Sequence, residues 1–152
     1  SLSCLFIDID HFKAVNEQYG HFIGDRVLRD TATLLRGLCR REDVLVRFGA
    51  DELVILLANA GQTPAKTAAE RIRGRFEAHS FHCGEQEKTL SASIGVSTLK
   101  KEHVASSTDP WELVWTADGA MHLAKQKGPG QIHRLDCNGQ GYKPAESEHA
   151  AS

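Results

Sequence analysis

The order of strand-like and helix-like segments constrains the fold of this chain more than any other feature of its sequence. Short apolar or β-branched runs predict strands at Cys4–Ile7, Val44–Phe48, Leu53–Leu57, Phe81–Cys83, Thr89–Ser97 and Gln131–Leu135. Segments with apolar residues at helical spacing predict helices between them. The resulting order, β-α-α-β-β-α-β-β-α-β, mixes hairpins with helical crossovers. It predicts the α/β (α+β) class, with one mixed, largely antiparallel sheet flanked by helices.

Glycine, proline and capping residues mark the ends of the predicted helices. Gly20 ends the first helix, and Asp25 is placed to cap the second. Thr63-Pro64 opens the third helix, and Asp109-Pro110 opens the last. Gly128-Pro129-Gly130 ends that last helix. These boundaries leave no linker that would divide the chain into two domains.

Two polar links join predicted strand pairs. Gly49 to Glu52 joins the second and third strands as a hairpin. Gly84 to Lys88 joins Phe81–Cys83 to Thr89–Ser97 in the same way. From Asn138 onward the residues are small and polar, so we expect one domain over residues 1–137 and a tail over 138–152.

The charge of the chain limits its partners. Lys and Arg number 18 against 20 Asp and Glu, a net charge of −2 among 152 residues, which argues against a long nucleic acid as ligand. Between Arg26 and Arg47, however, six arginines face three acidic residues, which suits a compact anion. The longest apolar run, Leu53–Ala58, is too short to cross a bilayer, so we expect no membrane segment within this sequence.

Cysteine usage indicates the compartment. The four cysteines are scattered, with no C-x-x-C pair, which predicts reduced cysteines in a cytoplasmic domain. His79, His82 and Cys83 lie close in sequence but have no fourth ligand nearby, so we interpret them as surface or half-buried polar groups rather than a zinc site.

Four acidic residues stand where predicted strands end or turn: Asp8, Asp10, Asp51 and Glu52. Residues two apart on a strand share a face, so Asp8 and Asp10 are able to point together. Carboxylates that converge beside a glycine suit a Mg²⁺ site that holds a nucleotide phosphate. The alternative is that these acids are simply solvated.

Polar residues suited to a nucleotide surround these acids in sequence: Lys13, Asn16, Asp25, Arg47 and Lys125. Lysine suits phosphates, while Asn and Asp are able to bind a base edge. A carboxylate that accepts two donors favours guanine, which presents N1–H and N2–H₂ side by side. For Asp25 the alternative is a helix cap alone.

A series of motifs runs in one order along residues 2–135. Asp8-Ile9-Asp10-His11-Phe12-Lys13-Ala14-Val15-Asn16, then Gly20-His21 and Gly24-Asp25, match the pattern D-x-D-x-F-K-x-x-N…G-H…G-D. Arg47-Phe48-Gly49-Ala50-Asp51-Glu52-Leu53 stands where R-Y/F-G-G-D/E-E-F belongs. Ser93-Ile94-Gly95-Val96 matches S-I-G-V, and Ala117-Asp118, Ala124-Lys125 and Gly128 match the last helix. In these motifs the chain resembles the GGDEF domain of the diguanylate cyclase family.

The resemblance implies a chemistry for the acidic residues. It implies a palm-like sheet and the condensation of two GTP into cyclic di-GMP and pyrophosphate, with a homodimer bringing one GTP per protomer face to face. Asp8, Asp51 and the carbonyl of Ile9 would hold Mg²⁺ or Mn²⁺. Glu52, beside Asp51, would activate the 3′-hydroxyl, and the metal would offset charge as pyrophosphate leaves.

The same resemblance implies the substrate contacts. Asn16 and Asp25 would recognise guanine, and Lys125 would steady the triphosphate. Phe12 and Lys13 would line the phosphate pocket. Gly49 and Ala50 would form the backbone that the nucleotide approaches.

A second family feature precedes the hairpin. Arg40-Arg41-Glu42-Asp43 supplies R-x-x-D, and Arg71 on the third helix is placed to join it. In the family this is an inhibitory site for cyclic di-GMP. Arg binds the O6/N7 edge of guanine and Asp accepts from N1–H, which fits that role. The alternative is a solvated helix C-terminus with favourable arginines.

The chain departs from the family pattern at four positions. Ala50 replaces the second glycine, where a methyl would crowd the nucleotide and would be strained if φ were positive. Leu53 replaces phenylalanine, a conservative core change. Pro129 replaces an arginine that contacts triphosphate, and Glu17 replaces a usual aspartate.

These departures leave two functions open: a cyclase with reduced activity, or a degenerate domain that binds cyclic di-GMP or GTP and acts as a regulatory module. The family's preceding helix and its D-x-L-T-x-L-x-N-R segment do not occur in the sequence. We therefore expect a piece of a longer protein with an upstream sensory or regulatory domain.

Overall fold

A five-stranded sheet with helices on both faces organises the chain. The computed structural model describes residues 1–107, 109 and 111–138. Its elements are β1 (Leu2–Ile9), α1 (Phe12–Tyr19), α2 (His21–Arg36), β2 (Val44–Arg47), β3 (Glu52–Ala58), α3 (Gln62–Ala78), β4 (Phe81–Cys83), β5 (Gln86–Lys88), β6 (Ala92–Leu99), α4 (Lys101–Val104), α5 (Glu112–Gln126) and β7 (Ile132–Cys137). The sheet order is β2-β3-β1-β6-β7, antiparallel except for the parallel pair β6–β7. The predicted mixed, largely antiparallel sheet is confirmed.

Strand β1 is buried on both faces because helices cover both. Leu5, Ile7 and Ile9 point into a core shared with α1, α2 and α3. Cys4 and Phe6 point to the opposite face, against α5. This period-2 alternation places Asp8 on the face that α5 covers. The continuous apolar run of β1 in the sequence is thereby explained.

Gly95 allows α5 to lie close against β6. A Cβ at this position would overlap the backbone at Ala117 and Met121 of α5. Side chains further along α5 are therefore brought towards the end of β1, which sets the position of Lys125.

The predicted pairing of the later strands is wrong. Phe81–Cys83 pairs with Gln86–Lys88 as a separate two-stranded sheet, with Gly84 at φ 70° in the turn. The strand predicted at Thr89–Ser97 is β6, which starts later, at Ala92, and pairs with β1 and β7 instead. The run Gly84 to Lys88 has no apolar residue, so its composition predicts a link. The strand within it also has side-chain contacts, since the Tyr19 hydroxyl donates to Gln86 Oε1 at 3.0 Å and His82 Nδ1 lies 3.5 Å from Glu87 Oε1.

The boundaries of the helices also differ from the sequence prediction. Helix α2 begins at His21, because the Gly24 amide donates to the Gly20 carbonyl at 3.1 Å, so Asp25 lies within the helix and does not cap it. Helix α5 begins at Glu112, although Asp109 Oδ1 still accepts from the Trp111 amide at 2.8 Å. The short helix α4 was not predicted.

Two predictions involve residues outside the described part of the chain. One is the opening of the last helix, which includes Pro110, and the other is the tail, of which residues 139–152 are not described. β7 runs to Cys137, two residues beyond its predicted end. No helix in the described part of the chain is long and apolar enough to cross a membrane.

Candidate active site at the end of strand β1

Asp8 and Glu52 face one another at the end of two neighbouring strands. They are register partners in the antiparallel pair β1–β3, so both side chains lie on the same face of the sheet. On that face, Lys125 of α5 places its Nζ 2.7 Å from Asp8 Oδ1. The structure thus brings together three of the residues singled out in the sequence.

Asp8 is a buried carboxyl, only 5% exposed. Burial is the main cause that raises its pKa to about 7, while the hydrogen bond and charge of Lys125 lower it and Asp51 and Glu52 raise it. Oδ1 is buried and forms a close ion pair with the Lys125 ammonium. A buried carboxylate at a strand end, next to other carboxylates, suits a divalent cation.

The predicted metal site combines side-chain oxygens with a backbone oxygen. The Ile9 amide donates to the Asp51 carbonyl at 3.1 Å, which holds Asp51 beside the end of β1. In the described residues, no group of three or more His, Cys, Asp or Glu side chains is arranged around a metal position. A site built from Asp8, Asp51 and the Ile9 carbonyl has two carboxylates and one backbone oxygen, so it is consistent with that finding.

The hairpin turn between β2 and β3 is braced by Arg47. Its guanidinium donates to the carbonyls of Gly49 and Ala50, each at 3.0 Å. The amides of Phe48 and Gly49 donate to the Glu52 carbonyl, at 2.9 and 3.2 Å. These bonds close the turn at the base of the Glu52 side chain.

The two small residues of this turn differ in what they require. A Cβ on Gly49 would lie 2.5 Å from Glu52 Oε2, so the absence of a side chain leaves room for that carboxylate. Ala50 is exposed and does not have a positive φ. The backbone strain considered for Ala50 therefore does not arise, and only its methyl group distinguishes it from glycine.

Glu52 has two further neighbours on α5, Asp118 and His122, which were not predicted as site residues. The pKa of Glu52 is raised, first by burial and then by Asp118 and Asp51, while His122 and Lys125 lower it. Asp118 Oδ1 lies 3.3 Å from His122 Nε2. The sequence signal for both was their spacing from Lys125, since positions 118, 122 and 125 share one face of a helix.

Asp10 is not part of this acidic cluster, contrary to the idea that it points together with Asp8. Its Oδ1 accepts from Ser93 Oγ at 2.6 Å. Its Oδ2 accepts from Ser91 Oγ at 2.6 Å and from the Gly130 amide at 2.7 Å. Three donors therefore occupy this buried carboxylate.

The residues predicted to contact the nucleotide along α1 and α2 differ in exposure. Phe12 is buried in the core and Asp25 is exposed. Lys13 extends into solvent, with Nζ 3.8 Å from Glu17 Oε1. Half-buried Asn16 lies against Gly24, where a Cβ would overlap its Oδ1. Close packing of the two helices thus fixes the Asn16 side chain.

A cavity of about 250 Å³ lies on the other side of the molecule, lined in part by Arg40, Asp43 and Arg71. Asp43 is buried, and its Oδ2 accepts from the Arg40 amide at 2.7 Å. Arg71 donates to the Leu38 carbonyl at 2.8 Å. The structure brings the three predicted inhibitory-site residues to one cavity, separate from the Asp8 site.

Two other departures from the family pattern have simple surroundings. Leu53 is buried in the core opposite Ile7 of β1, as expected of a conservative core change. Pro129 is exposed, between Gly128 at φ 117° and Gly130 at φ 65°.

Comparison with known proteins agrees with this architecture. Residues 1–131 match the family model described as diguanylate cyclase, GGDEF domain. Diguanylate cyclase A of Treponema denticola is 34% identical over 132 residues, which are 87% of this chain and 34% of that protein. Cyclic di-GMP phosphodiesterase PdeR of Escherichia coli is 37% identical over 128 residues, 84% of this chain and 19% of that protein.

Solved structures show the same fold. The active GGEEF domain of a diguanylate cyclase from Vibrio cholerae superposes with a TM-score of 0.78 at 34% identity, covering 88% of this chain and 81% of that one. The chain spans about a third or less of the length of the two curated relatives described above. From its motifs, its sheet topology and these matches, the chain belongs to the GGDEF-domain family of diguanylate cyclases.

Proposed function

We propose that this domain condenses two molecules of GTP into cyclic di-GMP, releasing two pyrophosphates, with reduced activity. The observation that carries the proposal is the facing pair Asp8 and Glu52 beside Asp51 and Lys125, in a chain of this family. It combines a place for a divalent cation, a carboxylate for a hydroxyl proton and a cation for phosphate.

The residues at the end of β1 fit a divalent metal. Asp8 supplies a buried carboxylate, and Asp51 and the Ile9 carbonyl complete an oxygen-only set that suits Mg²⁺ or Mn²⁺. When bound, such a metal neutralises charge on the phosphates of the substrate and on the displaced pyrophosphate.

The chain's own side chains have separate roles in the proposed reaction. Glu52, whose pKa is raised by burial, accepts the proton of the attacking 3′-hydroxyl. Lys125 binds the triphosphate, and Phe12 and Lys13 border it. Asn16 and Asp25 bind guanine, with Asn16 held in place by its contact with Gly24. Gly49 and Ala50 form the surface that the nucleotide approaches.

The reaction joins two GTP molecules, so we propose that two copies of the domain pair in a homodimer with their nucleotides face to face. We also propose that the domain works in the cytoplasm, where GTP is present, under a sensory or regulatory domain of the longer protein.

The proposal is tested by incubating the purified domain with GTP and Mg²⁺ and quantifying products by chromatography and a pyrophosphate assay. We expect cyclic di-GMP and pyrophosphate in a ratio of one to two. We also expect a specific rate that rises with protein concentration, because two protomers must meet. GTP that stays intact at every protein concentration contradicts the proposal.

A second candidate function is a module that binds cyclic di-GMP without catalysis. The cavity that gathers Arg40, Asp43 and Arg71 favours it, because these side chains offer donors and an acceptor for a guanine edge.

Calorimetry with cyclic di-GMP tests this second function. We expect Arg40→Ala to weaken binding by about tenfold or more, because a bidentate contact is lost. Arg41→Ala, at the adjacent exposed arginine, serves as the matched control and should bind like the wild type. Equal affinities of the wild type and Arg40→Ala would exclude this cavity as the site.

A further inference from the structure

We propose that Asp10 is a positioning residue that holds the loop after α5, and through it Lys125, against Asp8. Its consequence for catalysis rests on the proposed cyclase function. The contact itself is a property of the protein without nucleotide.

Asp10 joins three parts of the fold that are distant in sequence. It follows β1, and its carboxylate accepts from Ser91 just before β6, from Ser93 within β6 and from the Gly130 amide beyond α5. Its own amide donates to the Ser91 carbonyl at 2.9 Å. Asp10 is 6% exposed, so water does not compete for these bonds.

These contacts close a ring that includes the Asp8–Lys125 pair. Lys125 Nζ lies 2.7 Å from Asp8 Oδ1, and the Lys125 carbonyl accepts from the Gly128 amide at 3.0 Å. Two residues further on, Gly130 donates to Asp10. The backbone from Asp10 to Asp8 completes the ring. A displaced loop would therefore disturb two contacts of Lys125: the bond from the Gly128 amide to its carbonyl and the contact of its Nζ with Asp8.

The loop is short, and the Asp10 contact acts together with the Gln131 carbonyl, which accepts from the Ile94 amide at 2.9 Å. Helix α5 ends at Gln126, and Gly128 and Gly130 both have positive φ angles. Last turns of helices fray, and glycines allow many conformations. A charge-assisted bond to Gly130 selects one of them. Lys125 lies in that last turn, so this bond adds to the docking of α5 over Gly95 in holding Lys125 near Asp8.

Replacement of Asp10 separates positioning from general stability. Asp10→Ala removes both acceptor oxygens and so all three hydrogen bonds. Asp10→Asn keeps an oxygen for the Gly130 amide, while its NH₂ group donates to Ser93, whose hydroxyl is able to turn and accept. The isosteric variant should therefore keep the ring closed, and the truncated variant should open it.

The readout is the acetylation rate of each lysine by trace acetic anhydride, measured by mass spectrometry without nucleotide. We expect Asp10→Ala to raise the rate at Lys125 by about fivefold, as for loss of an ion pair. Lys66, whose side chain is 71% exposed on α3, is the internal reference and should not change. Asp10→Asn should match the wild type at both lysines.

An unchanged Lys125 rate in Asp10→Ala, or equal rates in Asp10→Ala and Asp10→Asn when both exceed the wild type, would overturn the proposal. If Asp10→Ala does not unfold cooperatively, Ser93→Ala removes a single donor and should give a smaller rise at Lys125. No rise in that variant would also overturn it.

Turnover then links the contact to function. We expect Asp10→Ala to raise KM for GTP by about tenfold with kcat within about twofold, because Lys125 binds the triphosphate. A wild type without turnover contradicts the proposed function and leaves the labelling result to decide on Asp10. If the wild type turns over GTP and Asp10→Ala has the same KM, the proposed role of Asp10 is overturned, while the proposed function stands.

Discussion

Asp8 of β1 and Glu52 of β3 are register partners on the face of the sheet that α5 covers. The pKa of each is raised, first by burial, and Asp51 is among the neighbouring carboxylates that raise it further. A nearby cation favours the ionised form of such carboxyl groups. Lys125 supplies one such charge, and a bound divalent metal would supply more.

The raised pKa of Asp8 predicts how stability depends on pH in the metal-free protein. A carboxyl whose folded pKa is raised keeps its proton in the folded state over a range where the unfolded chain has lost it. Stability therefore falls as pH rises from the ordinary value of 3.8 towards about 7. Urea denaturation in EDTA across this range should show that Asp8→Asn reduces the fall.

Mg²⁺ should reverse the trend if Asp8 is a ligand. At a pH above 7 it should stabilise the wild type, because it binds the ionised carboxylate of the folded state. It should stabilise Asp8→Asn less. The same pH slope in both proteins, or equal stabilisation by Mg²⁺, would contradict the assignment of Asp8.

Gly24→Ala should weaken guanine recognition. The added Cβ overlaps Asn16 Oδ1, so the amide must leave its place between α1 and α2. Loss of one hydrogen bond corresponds to a Kd for GTP raised about five- to tenfold. Calorimetry with GTP and Mg²⁺ measures this, and Gly61→Ala is the control because nothing lies within 4 Å of its Cβ. Matching affinities in the two variants would remove Asn16 from the guanine site.

Gly95→Ala should destabilise the fold by displacing α5. Its Cβ would overlap the backbone at Ala117 and Met121, which cannot move aside as a side chain does. We expect a loss of about 1–3 kcal/mol in the free energy of unfolding, as for an overpacked core. Gly74→Ala, in the open on α3, should instead gain up to about 1 kcal/mol from helix propensity. Urea denaturation distinguishes the two, and a Gly95→Ala protein as stable as the wild type would refute the close contact.

Ala50→Gly and Pro129→Arg should each raise the rate of cyclic di-GMP formation. Ala50 has no positive φ, so Ala50→Gly relieves no backbone strain and should not raise the free energy of unfolding. Its effect on the rate should come only from the loss of a methyl group beside the nucleotide. Pro129→Arg adds a cation to the loop after Lys125. Pro129→Ala is the control, because it removes the pyrrolidine ring of proline without adding a charge. Turnover at low GTP concentration measures each effect. Rates no higher than the wild type in both variants would mean that neither departure limits activity.

The order of strand-like and helix-like segments was enough to predict a mixed, largely antiparallel sheet. The sequence predicted Asp8 at the end of the first strand and Glu52 in a hairpin link, and the structure shows the two as register partners. Local composition was less informative for Gln86–Lys88, which has no apolar residue and still forms β5. Its contacts include the cross-strand pair His82–Glu87 and a hydrogen bond from Tyr19 of α1, which local composition does not predict.

Contacts between distant elements were the part that the sequence could not predict. The spacing of Asp10 from Asp8 predicts a carboxylate of the site, but Ser91, Ser93 and the Gly130 amide donate to it instead. Asp118 and His122 carry helix spacing but reach Glu52 only because Gly95 lets α5 lie close to the sheet. Such contacts depend on how helices dock, which is set by packing over the whole core.

The most direct measurement is GTP turnover by the wild type beside Glu52→Gln, with Glu70→Gln as a matched control on α3, where Glu70 pairs with Lys66. We predict cyclic di-GMP from the wild type and from Glu70→Gln at similar rates. For Glu52→Gln we predict a rate lower by about a hundredfold or more, since a general base is lost. Equal product from Glu52→Gln and the wild type, or product from neither the wild type nor Glu70→Gln, would contradict catalysis at this site.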